Sequence, residues 1–171
     1  MKNYKIFIIA IVLISLGACK KYEEGPSFTL LSPSKRITGT WDLKETAIND
    51  SIINLNDIPS LLGSDTSLNS TGLDFDFGEI KINKINLIFE KDGEGEFAFN
   101  VSVMFYPFSW SEKLEWNFDE EKDNVSITMQ EETQEFRIIK LTKKELWLLK
   151  TEEIENRIET LSFKFDKVPK N

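Results

Sequence analysis

Between Thr38 and Lys167 apolar side chains recur at every second residue, and that period decides the fold class. A period of two puts alternate side chains on opposite faces of an extended chain, whereas a helix needs apolar positions three and four apart. Thr38–Thr46, around Gly39-Thr40-Trp41, reads as the first strand. Ile82–Lys91 sets Ile85, Leu87 and Phe89 on one face, and Glu96–Phe105 does the same with Phe97, Phe99, Val101, Val103 and Phe105. The intervening Asp92-Gly93-Glu94-Gly95 predicts a turn in which Gly93 supplies a positive φ, so the two runs form a hairpin.

The alternation goes on. Trp110–Phe118 groups Leu114, Trp116 and Phe118; after the charged turn Asp119–Asn124, Val125, Ile127 and Met129 line the next strand. Thr133–Leu141 starts with Phe136 and Ile138 and changes parity at Ile139 and Leu141, which predicts a β-bulge. Glu145–Thr151 and Arg157–Lys167 complete the series, the latter with Leu161, Phe163 and Phe165. The expected fold is all-β: an antiparallel up-and-down meander of about eight strands, each with one apolar face. Such a meander closes into a barrel, which leaves no edges, or splits into a two-sheet sandwich.

Residues 47–81 break the pattern as a long loop between the first two main strands. Long connections in compact domains are usually functional or disordered. Ile52, Ile53, Leu55, Ile58, Leu61, Leu62, Leu68, Leu73, Phe75 and Phe77 make this one too apolar for a plain linker. A short helix over Asp57–Leu62, capped by Asp57, and an extra strand over Leu73–Ile80 are expected within it. Its apolar residues fit either a lid over the barrel mouth or an insertion that covers barrel surface.

The N-terminus has a different logic. Lys2 and Lys5 precede an apolar run from Ile6 to Leu16, then Gly17, Ala18 and Cys19, in the layout of a secretory signal. The run is shorter than the roughly 20 apolar residues of a membrane-spanning helix. Leu16-Gly17-Ala18-Cys19 resembles the lipobox of bacterial lipoproteins. That resemblance implies a signal peptide over residues 1–18, acylation of Cys19 with palmitate-type chains, and a protein lipid-anchored at the outer membrane, periplasmic or surface-exposed. Residues 19–36, with Gly25-Pro26 and Ser32-Pro33-Ser34, read as a lipidated tether with little to bury; extended, they reach up to roughly 50 Å. The folded domain is then residues 37–168.

Removing the leader with its two lysines takes the formal charge from −8 to about −10. An acidic surface repels phosphate backbones, so no nucleic-acid partner is expected, and the lipid chains rather than a basic patch hold the membrane. Cys19 is the only cysteine and histidine is absent. Without a free thiol or an imidazole the chain lacks the commonest nucleophile–base pairs and soft metal ligands, so an enzyme, a metal site and a cofactor are all unexpected. Carboxylates are abundant, and the groups Asp92/Glu94/Glu96 and Asp74/Asp76/Glu79 read as solvated faces. Asp50-Ser51-Ile52 resembles a bacterial O-glycosylation acceptor.

Gly39-Thr40-Trp41 on the first strand, the acidic loop behind it, Phe89-Glu90-Lys91-Asp92-Gly93-Glu94-Gly95 and Ile138-Ile139-Lys140-Leu141-Thr142-Lys143-Lys144-Glu145-Leu146 together resemble the bacterial lipocalin-like lipoproteins over residues 37–166. The resemblance implies a small barrel with an apolar interior and a mouth that admits a small hydrophobic or amphipathic ligand. It also implies that Trp41, beside Gly39, packs across the closed end beneath a late-strand arginine: Arg157 by position, with Arg137 as its rival. Phe75, Phe77, Phe97, Phe99 and Trp116 are the candidate ligand contacts. The inward phenylalanines, Phe97, Phe99, Phe105, Phe118, Phe136, Phe163 and Phe165, can fill the barrel or line a pocket; their volume favours a mostly filled interior with any cavity beneath the 47–81 loop. A cavity above a few hundred cubic ångströms would favour a ligand carrier. A dry core would favour a scaffold or interaction subunit of a cell-envelope assembly with a protein partner.

Overall fold

The computed structural model describes residues 21–26, 29–54, 80–103, 106–154 and 157–169. A short helix α1 (Pro33–Ile37) leads into β1 (Gly39–Ile48), β2 (Ser51–Ile53), β3 (Ile80–Phe89), β4 (Glu94–Val103), β5 (Tyr106–Phe118), β6 (Asn124–Met129), β7 (Glu132–Leu141), β8 (Glu145–Ile154) and β9 (Arg157–Lys167). Every strand pairing is antiparallel, β3 to β9 follow in sequence order, and β1 pairs with both β3 and β9. That last pairing closes eight strands into a barrel, with β2 outside it, and rules out the sandwich.

The 47–81 connection opens as structure rather than loop. β1 runs on to Ile48, turns at Asn49-Asp50, whose φ angles of 48° and 64° match a type I′ hairpin, and returns as β2. Asn49 ties this turn to β9: its N–H donates to the Thr160 carbonyl (2.8 Å), and its side-chain oxygen accepts from the Thr160 N–H (2.9 Å). Ser51 of the glycosylation-like triplet sits exposed just after the turn. The expected helix over Asp57–Leu62 lies outside the described residues, as does the expected strand over Leu73–Ile80 apart from Ile80, which opens β3.

Three β-bulges set which residues face inward. The parity change at Ile139 is one: pairing with β8 shifts between Ile138 and Lys140. The other two, at Lys44 in β1 and Asn83 in β3, break the registers between Leu43 and Glu45 and between Ile82 and Lys84. Because one inserted residue reverses parity, Trp41 and Leu43 point inward before the first bulge and Thr46 after it.

One end of the barrel is packed shut. Trp41, Phe89, Val125, Leu141 and Leu146 are fully buried there together with Ile37 of α1. Of residues 19–36, expected to form a tether with little to bury, Tyr22, Glu24 and Arg36 pack on this end. Tyr22 is buried, its hydroxyl donates to the Lys122 carbonyl (3.0 Å), and the Glu24 N–H donates to the Ile139 carbonyl (2.9 Å). Arg36 is buried beside the Tyr22 ring and donates to the Leu141 carbonyl. The tether composition concealed this because a single Tyr, Arg and Ile carry the contact.

At the other end β5 outruns β6. Their pairing covers only Glu115–Phe118, so Tyr106–Leu114 is hydrogen-bonded to β4 alone among the described residues. The inward parity of this stretch carries Tyr106, Phe108 and Trp110, which are 72%, 56% and 50% exposed. Trp110 meets Phe97 of β4 edge to face at 6.4 Å.

Candidate ligand cavity

Above the packed end the barrel interior holds a half-open cavity of about 190 Å³. Seven strands supply its wall: Leu43 and Thr46 from β1, Ile85 and Leu87 from β3, Phe97 from β4, Ile127 and Met129 from β6, Gln134 and Phe136 from β7, Leu148 from β8, and Phe163 and Phe165 from β9. Thr46 and Gln134 are polar residues beside it, but no polar atom is exposed to the cavity, and among the described residues none that lines it is charged. The volume exceeds the ~150 Å³ of an apolar cavity that binds benzene and falls short of the ~300 Å³ at which drug-sized pockets begin. The interior is therefore mostly filled, as the aromatic volume of the sequence suggests, with space for one small molecule.

Phe97 lines this cavity, whereas Phe99 packs against the core beside it without reaching the wall. Trp116 lies below, in the packed end. Its ring stands edge-on to Phe89 (5.3 Å) and Phe118 (5.5 Å), and its indole N–H donates to the Glu94 carbonyl (2.9 Å), so it belongs to the floor. Phe75, Phe77 and the cluster Asp74/Asp76/Glu79 lie outside the described residues. Asp92 and Glu94 are exposed at the β3–β4 turn, with Gly93 between them at φ 83°.

The arginine expected over Trp41 is elsewhere. Arg157 begins β9 opposite Ile154, at the far end of the barrel, and is exposed. Arg137 is exposed as well and pairs with Glu23. The cation over the indole is Lys167, which faces Trp41 in the β1–β9 register and holds its Nζ 4.7 Å from the ring centroid. Counting back from the family pattern missed it because the barrel's closing register, not the order of basic residues, decides which side chain lies opposite Trp41.

Gly39 has a reason in the same corner. Its φ of 134° lies where side chains are strained, and a Cβ there would come within 2.7 Å of the Lys167 Cε. The lysine arm thus crosses the bare glycine to reach the carbonyls of Arg36 and Thr38, both at 2.7 Å, while the Trp41 indole N–H donates to the Ile37 carbonyl (2.6 Å). Burial pushes the Tyr22 phenol up to about 12, with Arg36 opposing the shift, and burial likewise lowers the Arg36 guanidinium. Two inward-packed residues had no sequence signal. Thr46 is turned inward by a bulge that leaves no mark in the local alternation, and Arg36 looked like part of a polar tether.

A closed, eight-stranded, antiparallel up-and-down barrel with one plugged end and an apolar interior cavity is the lipocalin-like architecture. No family model matches the sequence, and no curated protein matches it. Among solved structures the chain is similar to bovine odorant-binding protein in complex with its natural ligand, at 14% identity over 84% of this chain and 77% of that one, with a TM-score of 0.42. It is also similar to the siderocalin Ex-FABP (12% identity, 78% and 74% covered, TM-score 0.41) and to the bovine lipocalin allergen Bos d 2 (12%, 82% and 78%, 0.42). The class assignment rests on strand order and closure.

Proposed function

We propose that this protein is a non-enzymatic, lipid-anchored lipocalin-like binding module that holds a small hydrophobic or amphipathic molecule inside its barrel. The observation that carries the binding reading is the 190 Å³ cavity, walled mainly by aliphatic and aromatic side chains and, among the described residues, by none that is charged. Such a space favours an apolar guest because emptying it of water costs little and its walls offer dispersion contacts. Its size limits the guest to about the bulk of a substituted benzene ring.

The anchor reading rests on the lipobox at Cys19 and gains an orientation from the docked N-terminal segment. Tyr22 is seated on the closed end, and three residues of chain, the separation of Cys19 from Tyr22 in the sequence, span at most about 10 Å. Leu30, 90% exposed, and the exposed Lys143-Lys144 turn flank the same end. An apolar side chain between lysines suits a headgroup layer. The closed end would then rest on the outer membrane and the opposite end would point away from it.

Native mass spectrometry of the detergent-free soluble domain tests the binding reading, with a bound small molecule of fewer than about ten heavy atoms expected at this cavity size. A thermal-shift titration with benzene is the companion experiment. Leu148→Phe, which places a ring in the cavity, should abolish the shift. A protein that carries no guest and gains no stability from benzene would refute the reading.

A second reading, an interaction subunit of an envelope assembly, is favoured by the overhanging half of β5. Exposed aromatics on a strand with one edge open among the described residues are the features of a protein-contact surface. Replacing Phe108 and Trp110 by Ser should then abolish partner capture and leave benzene binding unchanged.

A further inference from the structure

The hairpin that leaves the barrel after β1 displays one sequence motif in full. β2 stands outside the barrel and pairs with β1 alone among the described residues. Its side chains therefore project from two open faces. Ile52 lies opposite Ala47 and Ser51 opposite Ile48, and both are exposed, Ile52 by 71%. Asp50 before them is exposed as well, at a φ of 64° that Asn and Asp tolerate better than other side chains. The hairpin is held in place, because Asn49 bonds Thr160 through both its backbone N–H and its side-chain oxygen. Asp50, Ser51 and Ile52, the triplet that resembles a bacterial O-glycosylation acceptor, are thus presented together on a fixed support. An enzyme that modifies a folded chain needs that presentation.

The same strand lacks the usual protection of an edge. Exposed edges invite pairing with other chains, and proteins guard them with lysine, proline or a bulge. Residues 51–55, Ser-Ile-Ile-Asn-Leu, carry no charge and no proline, and β2 pairs with β1 through three consecutive residues without a bulge. Resting on the export reading of the leader, we propose that Ser51 carries an O-linked glycan, which covers β2 with a bulky hydrated chain. The donor is a sugar chain on a polyprenyl diphosphate. The Ser51 hydroxyl oxygen attacks the anomeric carbon, and the bond from that carbon to the diphosphate oxygen breaks as the new C–O bond forms. Polyprenyl diphosphate leaves with the electron pair, and the hydroxyl proton passes to a base of the transferase. Asp50 and Ile52 are the residues that the transferase reads. Asn49-Asp50-Ser51 also has the form of an N-glycosylation sequence, but the Asn49 side chain is engaged with Thr160, whereas Ser51 is exposed. Because β1 runs from Trp41 at the closed end to Ile48, the glycan stands clear of the face assigned to the membrane.

Trypsin releases residues 45–81 as one peptide, which excludes Cys19 and therefore any acyl mass. In the full chain purified from the envelope of the cells it comes from, mass spectrometry should find this peptide heavier than its sequence by a sugar chain. Electron-transfer fragmentation should place the added mass on Ser51, a readout that needs no variant. Ser51→Ala should lose the addition completely and Ser51→Thr should keep it. Asp50→Asn, which suits the same φ, and Ile52→Asp should both lose it although the hydroxyl remains. A glycan retained by both would overturn the recognition role of the two flanking residues. Envelope protein with a cleaved leader and an unmodified 45–81 peptide would overturn the glycan and leave the export reading standing, as would a sugar mapped to Asn49 or Thr66. Protein that stays in the cytoplasm with its leader uncleaved would bring down the export reading and the glycan with it.

Discussion

Lys167 stands over the indole of Trp41 with its ammonium 4.7 Å from the ring centroid, and the same ammonium donates to the carbonyls of Arg36 and Thr38. The last strand, the first strand and the N-terminal helix are thus joined through one side chain. Lys167→Met keeps most of the stem and removes the charge. It should cost about 1–3 kcal/mol in urea denaturation, the combined scale of a cation–π contact and charge-assisted hydrogen bonds. Trp41→Ala removes a fully buried ring and should cost more, about 3–5 kcal/mol. A loss near the level of a surface substitution would show that the closed end tolerates its plug being removed.

Gly39→Ala is expected to destabilise by about 1–3 kcal/mol, because the new Cβ meets Lys167 and the backbone keeps a φ disfavoured for alanine. The two causes are separable. In a cycle with Lys167→Ala the clash disappears and the backbone strain remains, so the double variant should lose less than the sum of the singles. Strict additivity would mean that the lysine arm does not pass over residue 39.

The Tyr22 phenol sets a stability limit in alkali. Its folded value of about 12 lies above the ordinary value of 10. Below pH 10 both folded and unfolded chains keep the proton, and the group makes no pH-dependent contribution. Between pH 10 and 12 the unfolded chain releases the proton first, so stability falls as pH rises. Tyr22→Phe should be less stable at neutral pH by about 1 kcal/mol for the lost hydrogen bond to Lys122, yet show a shallower decline across pH 10–12 than the wild type. Parallel profiles for the two proteins would place the phenol in solvent.

Cys19→Ser should abolish incorporation of radiolabelled palmitate and leave the leader uncleaved. Incorporation that persists in the variant would remove the anchor from the account. With the lipid in place, spin labels at Lys143 should broaden on approach to bilayer-embedded relaxation agents and labels at Tyr106 should not. The reverse pattern would invert the orientation and leave the lipidation intact.

Much of the barrel was legible because strand faces are written locally. Phe97, Phe99 and Val101 share a face in any extended chain, and Gly93 announces its turn with no reference to the remainder of the protein. Even the bulge at Ile139 was visible, since it displaces Leu141 from the parity of Ile138. The bulges at Lys44 and Asn83 were not, because their flanking residues mix polar and apolar types and leave no clean parity to break. The candidate site suffered accordingly: Phe97 was placed on the inner face, but Thr46, two residues past a bulge, read as the polar end of a strand.

By itself, then, the alternation of Ile, Leu, Val and Phe with polar residues determined an all-β meander of about eight strands with an apolar interior. The sequence also held the lipobox that motivates the anchor. Tertiary structure decided everything that depends on register between distant segments. It chose closure through β1 and β9 over a sandwich, set Lys167 rather than Arg157 or Arg137 against Trp41, brought Tyr22 and Arg36 down onto the closed end, and turned the Thr46 side chain inward. The physical reason is the same in each case. A side chain's face follows from its neighbours along the chain, whereas its partner follows from the stagger that brings the first strand against the last, and no short stretch of sequence encodes that stagger.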